Sequence, residues 1–414
     1  MYGELNAITE PGRRFVALAE EHAADFATRA AEHDRDGTFP TENFEAMKQS
    51  GFLAAPVPEE FGGLGLFSIH DMGVGLSRLA RGDGSCAIAA NMHLTSVWTM
   101  HRLLRMVRAG AEGPPQAILE GLMKGIAARA IVVAVPATEA GTTVRYPRTE
   151  VVPAPGGYVL NGHKIFGTLS PFATLFFSSA RLADGDGGYE SVLVMLGRDT
   201  EGVEVKDNWD AIGMRASGSN DVIYRDVRIG EGNVVRSGQP LGVMALGGDP
   251  GTANHGLLGA FVGIAEAAAE MVIAQAKTRR KGPSDKLMAE RQWMQHLIGE
   301  MDIDLTTCRG LLAYEGRAID AMVEQYPKRD FPEQEMLEME RLHQSVKYTI
   351  NRRAIEAVDK AMTASGGAGY MSKHPLARLF RDVRAGPFMQ PFSPPEGIEY
   401  IGRVVLGQDP NFDL

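Results

Sequence analysis

Cysteine is nearly absent from this chain: Cys86 and Cys308 are the two in 414 residues. Neither lies in a Cys-x-x-Cys or Cys/His cluster, so neither a zinc site nor a disulfide framework is indicated, and a reduced, cytoplasmic setting is the expectation. An excess of positive charge is also lacking. Lys and Arg number 42 against 52 Asp and Glu, the formal charge is −10, and no strongly basic stretch offsets it, which argues against a nucleic-acid partner. The opening residues, MYGELNAITEPGRR, hold no apolar core of the signal-peptide kind. The most apolar run, Gly256 to Ala276, contains Glu266 and Glu270, so it reads as a buried helix and no membrane span is expected. Walker A, HExxH, GxSxG and GxGxxG motifs are missing from the places where their mechanisms need them. The ten histidines are scattered, so no metal constellation is expected. Internal repeats and low-complexity segments are lacking too. What remains is an ordinary globular composition, 44% hydrophobic and 23% charged, with length for two or three domains.

Residues 1–129 read as helical. Phe15, Leu18, Ala19, His22, Phe26 and Ala30 recur at helical spacing among charged residues. Thr41 is a candidate N-cap, and Ser68 marks another helix start. Asp83-Gly84 reads as a turn before a long apolar helix to Arg108, and Pro114-Pro115 opens one more. The character changes at Ala130. Runs such as TLFFSSARLA, YESVLVML and NDVIYRDVRIG are β-branched or aromatic and separated by Gly, Asn, Asp and Pro, which makes residues 130–239 a β domain. Asn161-Gly162 is a hairpin cue. From residue 240 to 414 three long amphipathic segments return, the pattern of an antiparallel bundle. Helices, then strands, then helices is an α+β order rather than alternating βαβ units.

Near the end, Ala364 to Gly407 gathers three features in one segment. Gly366, Gly367 and Gly369 let another group approach the backbone. Arg378, Arg381 and Arg384 suit an anionic partner such as a pyrophosphate. A Pro-rich loop then delivers Glu396, a candidate general base.

Four motifs, in order and with matching spacing, resemble the acyl-CoA dehydrogenase superfamily of flavoproteins: PVPEEFGGLG (Pro56–Gly65), GYVLNGHKIFGT (Gly157–Thr168), AIGMRASGSNDVIYRDVRI (Ala211–Ile229) and SGGAGYMSKHPLARLFRDVR (Ser365–Arg384). The resemblance implies an N-terminal helical domain, a central β-barrel-like domain and a C-terminal four-helix bundle. It implies FAD, held across a subunit contact in a homotetramer. Thr168 falls where the family has a threonine near flavin N5, and Phe166 where it has a tryptophan against the ring. Thr142 falls at a flavin- or substrate-side serine. Arg279 falls at the arginine that grips the FAD pyrophosphate of a neighbouring subunit, and Gly366 and Gly367 at the glycines the nucleotide approaches. EGIEYIGR resembles the segment whose glutamate removes the α-proton of an acyl-CoA, which makes Glu396 the expected base. The segment GTANHG offers no acid at the family's other base position.

The resulting expectation is α,β-dehydrogenation of an acyl-CoA or related thioester, with β-hydride passing to flavin N5 and an electron-transferring flavoprotein as the oxidant. The alternative is a two-component monooxygenase of the same fold, fed by a flavin reductase and O₂. GMRASGS is similar to a monooxygenase pattern, and the long tail loop approaches that branch. PATEAGTTV (Pro136–Val144) departs from the dehydrogenase pattern, whereas Met389-Gln390-Pro391 replaces the His-x-Pro of many monooxygenases.

Overall fold

The computed structural model describes residues 3–185, 187–240, 249–283, 285–389 and 391–410. Six helices come first: α1 (Glu10–Phe26), α2 (Ala30–Asp36), α3 (Thr41–Ser50), α4 (Ile69–Gly82), α5 (Gly84–Arg108) and α6 (Gln116–Ala127). Short polar side chains start three of them by accepting N–H groups that the first turn leaves free, the first being Thr9 Oγ1, which accepts the Gly12 N–H at 3.0 Å. Ser68 Oγ accepts the Asp71 N–H at 3.1 Å, and Asp83 Oδ1 accepts those of Ser85 and Cys86 at 2.9 and 3.2 Å. Thr41 is the first residue of α3 rather than its cap; Pro40 precedes it and supplies no side-chain bond.

The strands follow: β1 (Val133–Ala134), β2 (Glu150–Ala154), β3 (Gly157–Gly167), β4 (Leu175–Ala183), β5 (Tyr189–Gly197), β6 (Val203–Val205), β7 (Asn220–Ile229) and β8 (Val234–Pro240). They form one sheet in the order β6-β7-β3-β2-β4-β5-β8, with β1 added beside β4. The β2–β4 and β1–β4 pairs are parallel, and the others are antiparallel. The hairpin joining β2 and β3 turns at Pro155-Gly156, not at Asn161-Gly162. Asn161 and Gly162 lie inside β3, at a register shift against β7. The Asn161 side chain bonds Asp226 there, and a Cβ at Gly162 would run into Thr149. The Asn-Gly pair serves a bulge and a close side-chain approach, which local sequence does not distinguish from a turn.

The last elements are α7 (Thr252–Thr278), α8 (Gln292–Gln325), α9 (Glu333–Ser365), α10 (Pro375–Asp382) and α11 (Pro394–Val405). Helix α7 is long and apolar enough to cross a membrane, but 72% of that apolar window is buried inside the protein, as in a core helix. It crosses α4 at backbone contact: a Cβ at Gly259 would collide with the Gly73 carbonyl, and one at Gly263 with that of Ser77. Paired contacts show that α7 and α9 both run antiparallel to α8. Glu266 of α7 meets Arg309 of α8 at 2.6 Å and Arg81 of α4 at 2.8 Å. Glu315 of α8 accepts from His255 Nδ1 at 2.8 Å and His343 Nδ1 at 2.6 Å, tying α7, α8 and α9 through fully buried groups. The core is therefore apolar overall but pinned by a few internal ion pairs. The two thiols are buried in it, and burial pushes that of Cys308 up to about 12, so it stays protonated.

Candidate functional site

Strand β3 ends in a distortion. A register shift separates Lys164 from Gly167, Phe166 sits at φ 55° and Leu169 at φ 73°. Left-handed backbone at bulky residues costs about 1–3 kcal/mol each and is retained where surrounding structure enforces it. Here it turns the Phe166 ring outward, 55% exposed, with Trp209 edge-on at 6.0 Å between centroids. Beside it stands a chain of hydroxyls: Thr168 Oγ1 and Ser219 Oγ lie 2.8 Å apart, and Ser219 and Ser217 Oγ 2.7 Å. The Thr168 N–H is already committed to the Phe166 carbonyl at 2.8 Å, so the hydroxyl alone is left to face a partner. Ser217 and Ser219 were legible only as an i, i+2 pair in ASGSN, a spacing that places two side chains on one side of an extended segment.

The loop after β1 is fastened beneath this strand end. Ile165 N–H donates to the Thr138 carbonyl at 2.9 Å, and Lys164 Nζ reaches Glu139 Oε1 at 2.5 Å. Glu139 also accepts the N–H groups of Arg148 (2.8 Å) and Thr149 (3.1 Å). Burial alone pushes the Glu139 carboxyl up, but Lys164 and the backbone donors outweigh it and hold it below the usual carboxylate range. Burial lowers the Lys164 ammonium, and Glu139 opposes that. Thr142 lies in the same loop. Its hydroxyl donates to the Tyr146 carbonyl at 2.5 Å, closing a local turn. Arg145 then stacks over Phe392, 5.5 Å from its centroid, so this loop and the tail meet.

Glu396 occupies the first turn of α11. Its carboxylate accepts the Ser393 N–H at 2.6 Å and forms one half of a capping box. That bond gives it a helix-starting role that the EGIEYIGR pattern did not announce. Gln390, in the tripeptide set against His-x-Pro, lies outside the described residues.

The three arginines of the tail are also engaged internally, not turned to an anion. Arg378 donates to the Gly82 carbonyl at 3.2 Å, Arg381 to Asp34 and the Ile212 carbonyl, and Arg384 to Asp359 at 2.8 Å. Asp382 accepts the Met214 N–H at 2.6 Å. Burial pushes its carboxyl up to about 6, against the pull of Arg378. The Arg381-Asp382 pair thus clamps α2, α10 and the segment before β7 together.

Gly366, Gly367 and Arg279 stand apart from these groups. Because α7 and α9 run parallel, their C-terminal ends share one end of the bundle. Arg279 is the exposed C-cap of α7, with no side-chain partner among the described residues. Gly366, at φ 67°, ends α9, and Gly366 and Gly367 have open space where a Cβ would point. No hydrogen bond or ion pair joins this end to Phe166 or Thr168 among the described residues. Among the described residues there is also no cluster of three His, Cys, Asp or Glu fit for a metal ion.

An outward aromatic on a strained strand end, a hydroxyl chain beside it and open glycines at a bundle end suit a planar cofactor with a long phosphate-bearing tail. The fold and these features fit a flavin-dependent oxidoreductase. Models of the acyl-CoA dehydrogenase N-terminal, middle and C-terminal domains match residues 9–125, 133–227 and 256–392. The chain belongs to the acyl-CoA dehydrogenase family. It is 32% identical to the amino sugar nitrososynthase DnmZ of Streptomyces peucetius, over 97% of this chain and 96% of that protein. The isovaleryl-CoA dehydrogenase of Solanum tuberosum matches at 24%, over 95% of this chain and 88% of that one. Among solved structures, KijD3 in complex with FMN and dTDP-3-amino-2,3,6-trideoxy-4-keto-3-methyl-D-glucose aligns with a TM-score of 0.87 and 30% identity, covering 99% and 97% of the two chains. These likenesses support a flavin without specifying FAD, and they favour the oxygenase alternative over the acyl-CoA reading.

Proposed function

We propose that this chain is a two-component flavin-dependent N-oxygenase whose substrate is an amino sugar carried on a nucleotide. The likeness to nitrososynthases over nearly the whole chain is the observation that carries this reading. The capping-box role of Glu396 supports it, since its carboxylate is engaged at the start of α11 by the Ser393 N–H. Reduced flavin, when bound, supplies two electrons and activates O₂. One oxygen atom goes to the amine nitrogen and the other leaves as water. A second round, followed by loss of water, takes the hydroxylamine to a nitroso group. The partner is then a flavin reductase rather than an electron-transferring flavoprotein.

In this reading Phe166 packs against the flavin ring, and the Thr168–Ser219–Ser217 chain holds a hydrogen bond at its edge. Thr142 shapes the loop on the substrate side. Arg279, Gly366 and Gly367 face the cofactor's phosphate end, contributed across a subunit contact. The test supplies the protein with reductase, NADH, FMN or FAD, O₂ and a dTDP-amino sugar. Mass spectrometry is expected to show oxygen added at nitrogen. Anaerobic bleaching of bound flavin by an acyl-CoA, with no oxygenated amine, would overturn the reading.

Two substitutions sharpen it. Glu396→Gln keeps the acceptor for Ser393, so oxygenation is expected to stay within about twofold of the parent protein, whereas loss of a required general base costs on the order of 10²–10⁴-fold. Steady-state rates decide between them. Phe166→Ala removes an exposed ring and is expected to weaken flavin binding about 5- to 20-fold with little change in melting temperature, as suits an aromatic contact of roughly 1–2 kcal/mol. Fluorescence titration with FMN and FAD reads the loss and shows which flavin is preferred.

A further inference from the structure

Helix α9 carries a row of buried polar residues at helical spacing: Glu340, Gln344, Lys347 and Asn351 are 2–6% exposed. The tail lies along this row. Gly386 packs against Asn351 so closely that a Cβ would run into its Oδ1, and a Cβ at Gly397 would stand 3.2 Å from Gln344 Oε1. Between these points Lys347 Nζ donates to the Phe392 carbonyl at 2.8 Å and to the Met389 carbonyl. A lysine buried in a helix bundle is uncommon because its ammonium must leave water. One that gives two N–H groups to backbone carbonyls of a separate segment fixes that segment without regard to its side chains. Phe392 is the residue so held. Its ring faces Tyr400 at 5.3 Å and lies under Arg145, in the loop that carries Thr142.

We propose that Lys347 is a positioning residue: through the Met389 and Phe392 carbonyls it fixes the tail against α9 and thereby sets Phe392 under Arg145 of the loop that carries Thr142. The kinetic part of this inference rests on the N-oxygenase reading; the structural part does not. Burial lowers the Lys347 ammonium to about 8, with Glu340 and Glu396 opposing, so it keeps its proton at neutral pH and its hydrogen bonds are charge-assisted. The groups α9 presents here are not part of any motif shared with Phe166 or Thr168, and they touch neither.

The test compares the full chain with Lys347→Met, which keeps the length and apolar stem, and Lys347→Arg, which keeps the donors. Hydrogen–deuterium exchange is followed in peptides covering residues 391–405, without substrate. Exchange in Lys347→Met is expected to rise at least tenfold there while α7 and α8 stay unchanged, and Lys347→Arg is expected to recover part of the protection. In turnover, Lys347→Met is expected to raise KM for the amine about tenfold, with kcat within threefold and flavin affinity unchanged. Unaltered exchange in residues 391–405 overturns the anchor, whatever the reaction proves to be. Faster exchange with KM and kcat both unchanged overturns the positioning role. Absence of any amine oxygenation by the parent protein counts against the functional reading, while the exchange data still decide the anchor.

Discussion

Lys164→Met is expected to destabilise the protein by about 3–5 kcal/mol, because it leaves Glu139 charged, buried and without its cation. Lys164 is 0% exposed, and its Nζ lies 2.5 Å from Glu139 Oε1. Methionine fills nearly the same volume, so the loss measures the broken pair rather than a cavity. The double variant Lys164→Met/Glu139→Gln is expected to recover at least half of it. Glutamine retains an acceptor for the Arg148 and Thr149 N–H groups but no longer buries a charge. Urea denaturation followed by circular dichroism reads both. The same pair anchors the loop bearing Thr142 and Arg145, so flavin binding and tail exchange are expected to deteriorate together in the single variant. A single variant within 0.5 kcal/mol of the parent would show that the backbone bonds alone suffice.

Glu315→Gln is the second large effect, about 3–5 kcal/mol, again from breaking a buried charged network. Glutamine presents one acceptor where two histidine Nδ1 atoms, of His255 and His343, now meet the two carboxylate oxygens. The loss is expected to depend on pH. Burial raises the Glu315 carboxyl, but the two histidines outweigh that and leave it lowered. Burial lowers His343, but Glu315 outweighs that and leaves it raised. A lowered carboxyl contributes in full above its unfolded value, and that contribution disappears as pH falls through the folded value. A raised imidazole contributes in full below its unfolded value, and that contribution disappears as pH rises through the folded value. Both are complete between the ordinary carboxyl and imidazole values, 4.5 and 6.5. The parent-minus-variant difference is therefore expected to peak near pH 5.5 and to shrink toward pH 3 and pH 9. Denaturation at those three pH values checks it, and a difference that is flat with pH would show that packing, not the ion pairs, is at stake.

Much of the architecture was visible before any coordinates. Helical periodicity marked the segments around Phe15 and Ala19, β-branched runs marked β4, β5 and β7, and the long amphipathic stretches marked α7, α8 and α9. Each signal is local: burying one face of a helix or strand imposes a period on the residues that form it. Phe166 and Thr168 were singled out by the resemblance of the contiguous motif GYVLNGHKIFGT to the family's, a signal that is likewise local.

Other features depend on what a residue meets across the chain. Asn161-Gly162 has the composition of a turn, but Thr149 and Asp226 pack against it from neighbouring strands and make it a bulge. Arg378, Arg381 and Arg384 have the composition of an anion site, but Gly82, Asp34 and Asp359 meet them from elsewhere in the fold. Glu396 falls where the resembling motif has a base, and its carboxylate also accepts the Ser393 N–H at a helix start. Lys347 belongs to no motif, yet it holds the tail. The sequence by itself determined the element order, because that rests on periodicity, and its contiguous motifs carried the resemblance to the flavoprotein family and to the strand that leads to Phe166 and Thr168. Only the tertiary structure decided which charges are spent inside the protein, because a side chain's partner is fixed by distance in space, not by separation along the chain.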